Sequence, residues 1–272
     1  MLQKLHEADR PDILDYVSQE PEMNLFFIGD VENFGVDSET VEIWADVREE
    51  RWTGLVLRFL DNYCWYSRAA EPDPVPIADF LRGRTVDCVS GKLSLMERLA
   101  PEFPGGRLKP TYMSRCAQPA AAAVPEGIVL RRLAAAQIPA LTELYSGIAE
   151  FSDSYDTPEK IAKENQSLAR QLAAGSIAVG AYAGDTLVAA VTSAADNSVS
   201  AMMIGMATRV GWRGQGLASA VMAEAVRTLL AEGRQFVCLF YDNPAAGRVY
   251  RRLGFHELGA YAMLRPAQDG KE

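Results

Sequence analysis

Histidine is nearly absent: His6 and His256 are the only two among 272 residues. A histidine-ligated metal centre or a Ser-His-Asp triad therefore has almost nothing to be built from, and no metal is expected. The four cysteines, Cys64, Cys88, Cys116 and Cys238, form no CxxC pair and read as buried, reduced thiols. No apolar run reaches membrane-spanning length, and the start, MLQKLHEADRPDILDY, lacks the apolar stretch of a signal peptide, so no membrane association and a cytoplasmic location are expected. Positive charge is also in deficit. With 27 Lys+Arg against 36 Asp+Glu, a net −9 argues against a nucleic-acid partner and favours a cationic substrate. What the chain does have is apolar material, 49% of its residues, enough for two domains of ordinary size.

The informative stretch runs from Ala201 to Leu229. Strand-like residues lead into Arg213-Gly214-Gln215-Gly216-Leu217-Ala218-Ser219, and then Leu217, Val221, Met222, Ala225, Val226 and Leu229 recur at helical spacing. Glycine permits positive φ and close approach of a ligand. The first turn of a helix has N–H groups without internal acceptors and the positive end of the helix dipole, so this turn is a cradle for an anion such as a diphosphate. A dinucleotide-binding turn fits less well, because Ser219 replaces the third glycine and Asp242 lies too far downstream for the ribose-binding acid.

WRGQGLA, at 212–218, is similar to the Arg/Gln-x-x-Gly-x-Gly/Ala signature of the GNAT superfamily of N-acetyltransferases. A second stretch, Asn243-Pro244-Ala245-Ala246-Gly247-Arg248-Val249-Tyr250-Arg251-Arg252-Leu253-Gly254-Phe255, resembles that family's last helix and follows at the expected separation. The resemblance implies an α/β fold with a mostly antiparallel mixed sheet flanked by helices, and acetyl transfer from acetyl-coenzyme A to an amine by direct attack in a ternary complex. It implies cofactor contacts from the backbone of Met206, Ala207 and Thr208, from Arg213, Gly214, Gln215, Gly216, Leu217, Ala218 and Ser219, and from Asn243. Tyr250 is implied as the general acid for the departing thiolate. Asn243 followed by Pro244 also reads as an ordinary helix cap.

The order of elements before residue 117 resembles the same family, but the segment where its cofactor turn belongs is Arg68-Ala69-Ala70-Glu71-Pro72-Asp73-Pro74, without a glycine. A proline-broken segment offers no row of free N–H donors. Residues 1–117 are thus expected to form a degenerate GNAT-like domain of structural role. Residues 118–127, small and proline-bearing, read as a linker. The catalytic domain is expected over 128–272, so that two GNAT-like domains stand in tandem.

A general base is harder to find. Where some family members carry a glutamate on the strand before the turn, this chain has Met202. A water chain, or an acid from elsewhere such as Asp196 or Glu150, Asp153 and Asp156 of the interhelix loop, would have to serve, and the last three would also favour a cationic acceptor. Without a base, a non-catalytic acyl-coenzyme A sensor stays open, as does transfer of another acyl group. The acceptor is a small-molecule or peptide amine and the protein a monomer or homodimer.

Overall fold

The computed structural model describes residues 2–267. Its strands are β1 Leu2–Lys4, β2 Val41–Arg48, β3 Arg51–Phe59, β4 Asn62–Ser67, β5 Cys88–Lys92, β6 Arg107–Cys116, β7 Ile128–Arg132, β8 Ala178–Ala183, β9 Thr186–Ala194, β10 Ser200–Thr208, β11 Phe236–Tyr241 and β12 His256–Arg265. Its helices are α1 Arg10–Val17, α2 Leu25–Phe34, α3 Val75–Leu81, α4 Leu93–Leu99, α5 Ile138–Ser146, α6 Ser152–Tyr155, α7 Pro158–Ala173, α8 Leu217–Ala231 and α9 Pro244–Arg252. None of these helices is long and apolar enough to cross a membrane. The fold is the expected mixed α/β arrangement, and it divides into two compact units, 2–113 with 258–267, and 114–257.

In the first unit the strand order is β1-β2-β3-β4-β5-β12-β6; β4 and β5 run parallel, and the pairs β1–β2, β2–β3, β3–β4 and β12–β5 antiparallel. Alternation along β2 and β3 turns Ile43, Ala45, Leu55 and Leu57 onto α1 and α2, where Ile13, Val17, Phe27, Ile28 and Val31 complete one core. Val56 and Trp65 pack on the opposite face with Ile77, Leu81 and Met96.

The chain's end differs from the expectation that 128–272 stays together. β12 pairs antiparallel with β5, Tyr261 opposite Lys92 and Leu264 opposite Val89, so 258–267 belong to the first unit. The cause is packing. Ala262 and Leu264 fill the core beside Val89, and Tyr261 reaches Ser90 Oγ at 3.3 Å. The residues read as a linker lie within the second unit, and Ala120 N–H donates to Leu253 O at 3.0 Å.

One residue of the first unit opposes its own fold. Asp30, partly buried on α2, meets no ion pair among the described residues, and burial pushes its carboxyl up to about 7. A folded-state pKa above the unfolded value means stability that is full below about pH 4 and is lost as pH rises toward 7. Asp30→Asn, which keeps the neutral form's shape, is expected to gain about 2–4 kcal/mol at pH 8 and almost nothing at pH 4, read by urea denaturation at both values.

The second unit has strand order β6-β11-β10-β9-β8-β7, with the last three residues of β6 at one end. α8 lays Leu217, Val221, Met222, Ala225, Val226 and Leu229 on the β8–β10 face, while α5 and α7 cover the other with Leu141, Leu144, Tyr145 and Leu168. Each large side chain so buried contributes about 1.5–3 kcal/mol. The small residues of α8, Ala220 and Ala225 among them, let its backbone lie close to the sheet.

Candidate active site

β10 and β11 run parallel, yet among the described residues they pair only at Ser200 with Phe236, Ala201 with Val237 and Met202 with Cys238. β10 then continues to Thr208 and β11 to Tyr241 as separate arms, which opens the sheet into a wedge. A bulge in β10 bends it away. Ile204 stands opposite Thr192 and Ala207 opposite Ala190, so β10 takes three residue steps where β9 takes two.

Gly205 makes the bulge, at φ +60°, and its carbonyl accepts a 2.8 Å hydrogen bond from Tyr145 Oη on α5. A Cβ built at Gly205 would stand 2.5 Å from that oxygen. Neither residue was singled out in the sequence, although a lone glycine inside the apolar run Met202–Met206 is a recognised sign of a bulge. Tyr145→Phe, which leaves the carbonyl unanswered, is expected to cost about 1–2 kcal/mol. Gly205→Ala adds backbone strain to the same loss and is expected to cost about 3 kcal/mol, measured by the same denaturation.

Beyond Thr208 the chain makes a short 3₁₀ turn, Val210–Trp212, and reaches α8 through Gly214 at φ +80° and Gly216 at φ +82°. The first backbone bond of α8 is Ala220 N–H to Gly216 O, at 3.0 Å. Among the described residues, the amides from Gly214 to Ser219 donate to no other group of the chain, and the sites of a Cβ on Gly214 and Gly216 face open space. Six consecutive unused donors at the positive end of a 15-residue helix fit an anion with several oxygens, as a diphosphate has.

Arm and cradle border one cavity of about 740 Å³. Of the expected site residues, Met206, Ala207, Thr208, Arg213, Gly214, Gly216, Leu217, Ala218, Ser219, Glu150 and Tyr250 line it. Ile148, Phe151, Trp212 and Val249 line it too; Trp212 and Val249 lie inside the two signature stretches and Phe151 in the interhelix segment, but none was given a role of its own.

Tyr250 faces this cavity from α9, 8% exposed, its ring against Tyr241 and Phe255 at 5.7 and 5.8 Å. Burial pushes its phenol up to about 12. The hydroxyl has no hydrogen-bond partner among the described residues, which leaves its proton available to a group in the cavity.

Other expected residues stand elsewhere. Asn243 caps α9, its Oδ1 accepting from Ala245 N–H at 2.8 Å, and neither it nor Gln215 borders the cavity. Asp153 is exposed away from it. Asp156 is held by Lys160 Nζ at 2.8 Å, which keeps its carboxyl below the usual range. Glu150 lies 3.7 Å from Arg213, whose Nε donates to Thr208 O at 3.2 Å. That ion pair is solvent-exposed and weak, so an incoming anion displaces it readily. Asp196 is buried at the opposite end of β10, where the hydroxyls of Ser176 and Ser193 donate to it at 2.9 and 2.8 Å, and its role is structural. Among the described residues no group of three His, Cys, Asp or Glu side chains is placed to hold a metal.

In the first unit the corresponding strands diverge in the same way, β4 and β5 pairing at Asn62 with Cys88, Tyr63 with Val89 and Cys64 with Ser90. There the opening is bridged from within. Glu20 accepts from Lys92 Nζ at 2.6 Å and from Tyr66 Oη at 2.8 Å.

Comparison with known proteins agrees with this geometry. Residues 138–255 match the acetyltransferase (GNAT) family. No curated protein sequence matches the chain. Among solved structures, a Drosophila protein aligns over 99% of both chains at TM-score 0.73 and 12% identity. A GCN5-related N-acetyltransferase from Sphaerobacter thermophilus covers 99% of this chain and 97% of its own at 0.64 and 18%. A tandem GNAT protein from the clavulanic acid biosynthesis pathway covers 100% and 99% at 0.62 and 12%, a likeness of fold that extends through both halves. The cavity, the unused amides and the family match coincide in one stretch of chain: 138–255 is similar to the acetyltransferase (GNAT) family.

Proposed function

We propose that the second unit transfers an acetyl group from acetyl-coenzyme A to an amine within a ternary complex. The six unused amides from Gly214 to Ser219 carry this reading, because they answer a diphosphate and, Gln215 apart, belong to residues that line the same cavity as the buried phenol of Tyr250. Arg213 adds a positive charge at the cradle's edge. The unpaired edge of β10 at Met206–Thr208 turns backbone groups toward the space where a thioester carbonyl gains charge.

In the reaction the neutral amine forms an N–C bond as the C–S bond breaks. Tyr250 donates a hydrogen bond to the departing sulfur, and the ammonium proton leaves to water. Met202 is a buried apolar side chain, and Glu150, among the described residues the sole carboxylate lining the cavity, is exposed and only weakly paired with Arg213. A carboxylate so exposed, with Met202 where some family members carry a glutamate, is also what supports a binding-only reading.

Titration calorimetry with coenzyme A, followed by thiol release from acetyl-coenzyme A with a panel of amines, separates the two. Binding together with amine-dependent release is expected. Binding without release by any amine would leave the sensor reading, and faster release from propionyl- than from acetyl-coenzyme A would correct the acyl group.

A further inference from the structure

Three charged side chains line the cavity, Glu150, Arg213 and Arg252, and they are not equally engaged. Arg252 has no hydrogen bond or ion pair among the described residues, whereas Arg213 faces Glu150 at 3.7 Å and turns its Nε to Thr208 O at 3.2 Å. Glu150 therefore stands near the end of the open arm of β10, holding an arginine that the cradle also calls on.

Arg213 immediately precedes the unused amides of Gly214 to Ser219. Bound coenzyme A brings about four negative charges, two on its diphosphate and close to two on its phosphate monoester. Two arginines do not balance them. Arg213 gains more from the diphosphate beside it than from one exposed carboxylate, a pair worth at most about 1 kcal/mol. Glu150 is then an anion without a partner in a cavity whose field has turned negative. A cation carried by the acceptor restores the balance.

The wall next to Glu150 suits an alkyl spacer. Ile148 and Phe151 line the cavity on either side of Glu150 in the chain, and the Phe151 ring packs edge-on at 5.0 Å against Tyr145, whose hydroxyl holds Gly205 O. This aromatic wall offers apolar contact to methylenes and no second carboxylate, since Asp153 and Asp156 do not border the cavity. From Thr208 back to Met206 is a span of two strand residues, about 7 Å, which is that of an extended four- or five-carbon diamine.

We infer that the acceptor is a primary amine with a second cationic group about four or five carbons away, and that Glu150 holds this group once coenzyme A has drawn Arg213 to its diphosphate. This rests on the acetyl-transfer reading. Glu150 thus changes partner, from Arg213 in the free chain to the acceptor in the complex, and the two ligands bind cooperatively.

Titration calorimetry on the full chain in low-salt buffer compares cadaverine with pentylamine, with and without saturating coenzyme A. Coenzyme A is expected to tighten cadaverine binding about fivefold and pentylamine binding by about twofold or less, and the cadaverine gain is expected to shrink as salt is added. Glu150→Gln alters an exposed side chain, so folding is kept. It is expected to bring the cadaverine gain down to that of pentylamine, while coenzyme A binds no more weakly than to the unaltered chain. With acetyl-coenzyme A, thiol release is expected to favour cadaverine over pentylamine by about fivefold in kcat/KM, an advantage that Glu150→Gln removes. An equal gain for both amines, no gain for cadaverine, or a gain that survives Glu150→Gln overturns the inference while acetyl transfer stands. A cadaverine gain lost in Glu150→Gln, with no thiol release from any amine, removes acetyl transfer and keeps the cation site at Glu150.

Discussion

Replacing Gly216 with valine is expected to weaken coenzyme A binding by about 100-fold or more, equivalent to about 3 kcal/mol. Gly216 sits at φ +82° at the cap of α8, and a side chain there projects into open space in front of the unused amides. Two effects add. The backbone leaves a conformation that β-branched residues resist, at a cost of about 1–2 kcal/mol, and the amide row loses its alignment toward one anion. Stability loss alone is a poor explanation for lost binding, so a matched control is needed. Gly233, just past the other end of α8, has φ +101° and also faces open space. Gly233→Val is expected to lower thermal stability about as much as Gly216→Val and to leave coenzyme A affinity within about twofold. Equal affinity in both variants would contradict the cradle assignment.

Tyr250→Phe carries the second large expectation: a fall in kcat of about 100- to 1,000-fold with coenzyme A affinity almost unchanged. The phenol, raised to about 12 by burial, is about three units less acidic than an ordinary thiol near 8.5–9. Complete proton transfer to the departing thiolate is therefore uphill, and the hydroxyl acts by hydrogen-bonding to sulfur as charge develops there. The sign for pH follows. A raised pKa keeps Tyr250 protonated throughout the neutral and mildly alkaline range, so it contributes no loss of rate below about pH 11. With Glu150, exposed and weakly paired, the one carboxylate that the described residues place at the cavity, log(kcat/KM) is expected to climb with pH until the amine's own pKa is reached. A decline near pH 9–10 that disappears in Tyr250→Phe would show a more acidic phenol than this burial allows.

How much of this was legible in the sequence depends on how local the determining interaction is. The turn and α8 were legible because glycine spacing and a helical apolar period are written in adjacent residues, and Asn243-Pro244 announced α9 in the same way. The partner of β12 was not. His256–Arg265 looks like any closing strand, and its pairing with Cys88–Lys92 spans more than half the chain, so no nearby residue specifies it. The interhelix acids show a different limit: composition counts charges but does not say which way they face. Lys160, one helical turn after Asp156, captures that carboxylate, and Arg213, distant in sequence, engages Glu150. The aromatic wall was hidden for a related reason. Tyr145 and Phe151 have the spacing of core residues, and the bond that ties their cluster to β10, Tyr145 Oη to Gly205 O, comes from a strand distant in sequence.

The most direct test of the central claim is a crystal structure of the full chain grown with acetyl-coenzyme A. The diphosphate is expected on the amides of Gly214–Ser219, with the thioester between the arms of β10 and β11 and its sulfur within hydrogen-bonding reach of Tyr250 Oη. A diphosphate bound away from those amides, or a thioester turned away from Tyr250, would contradict the account.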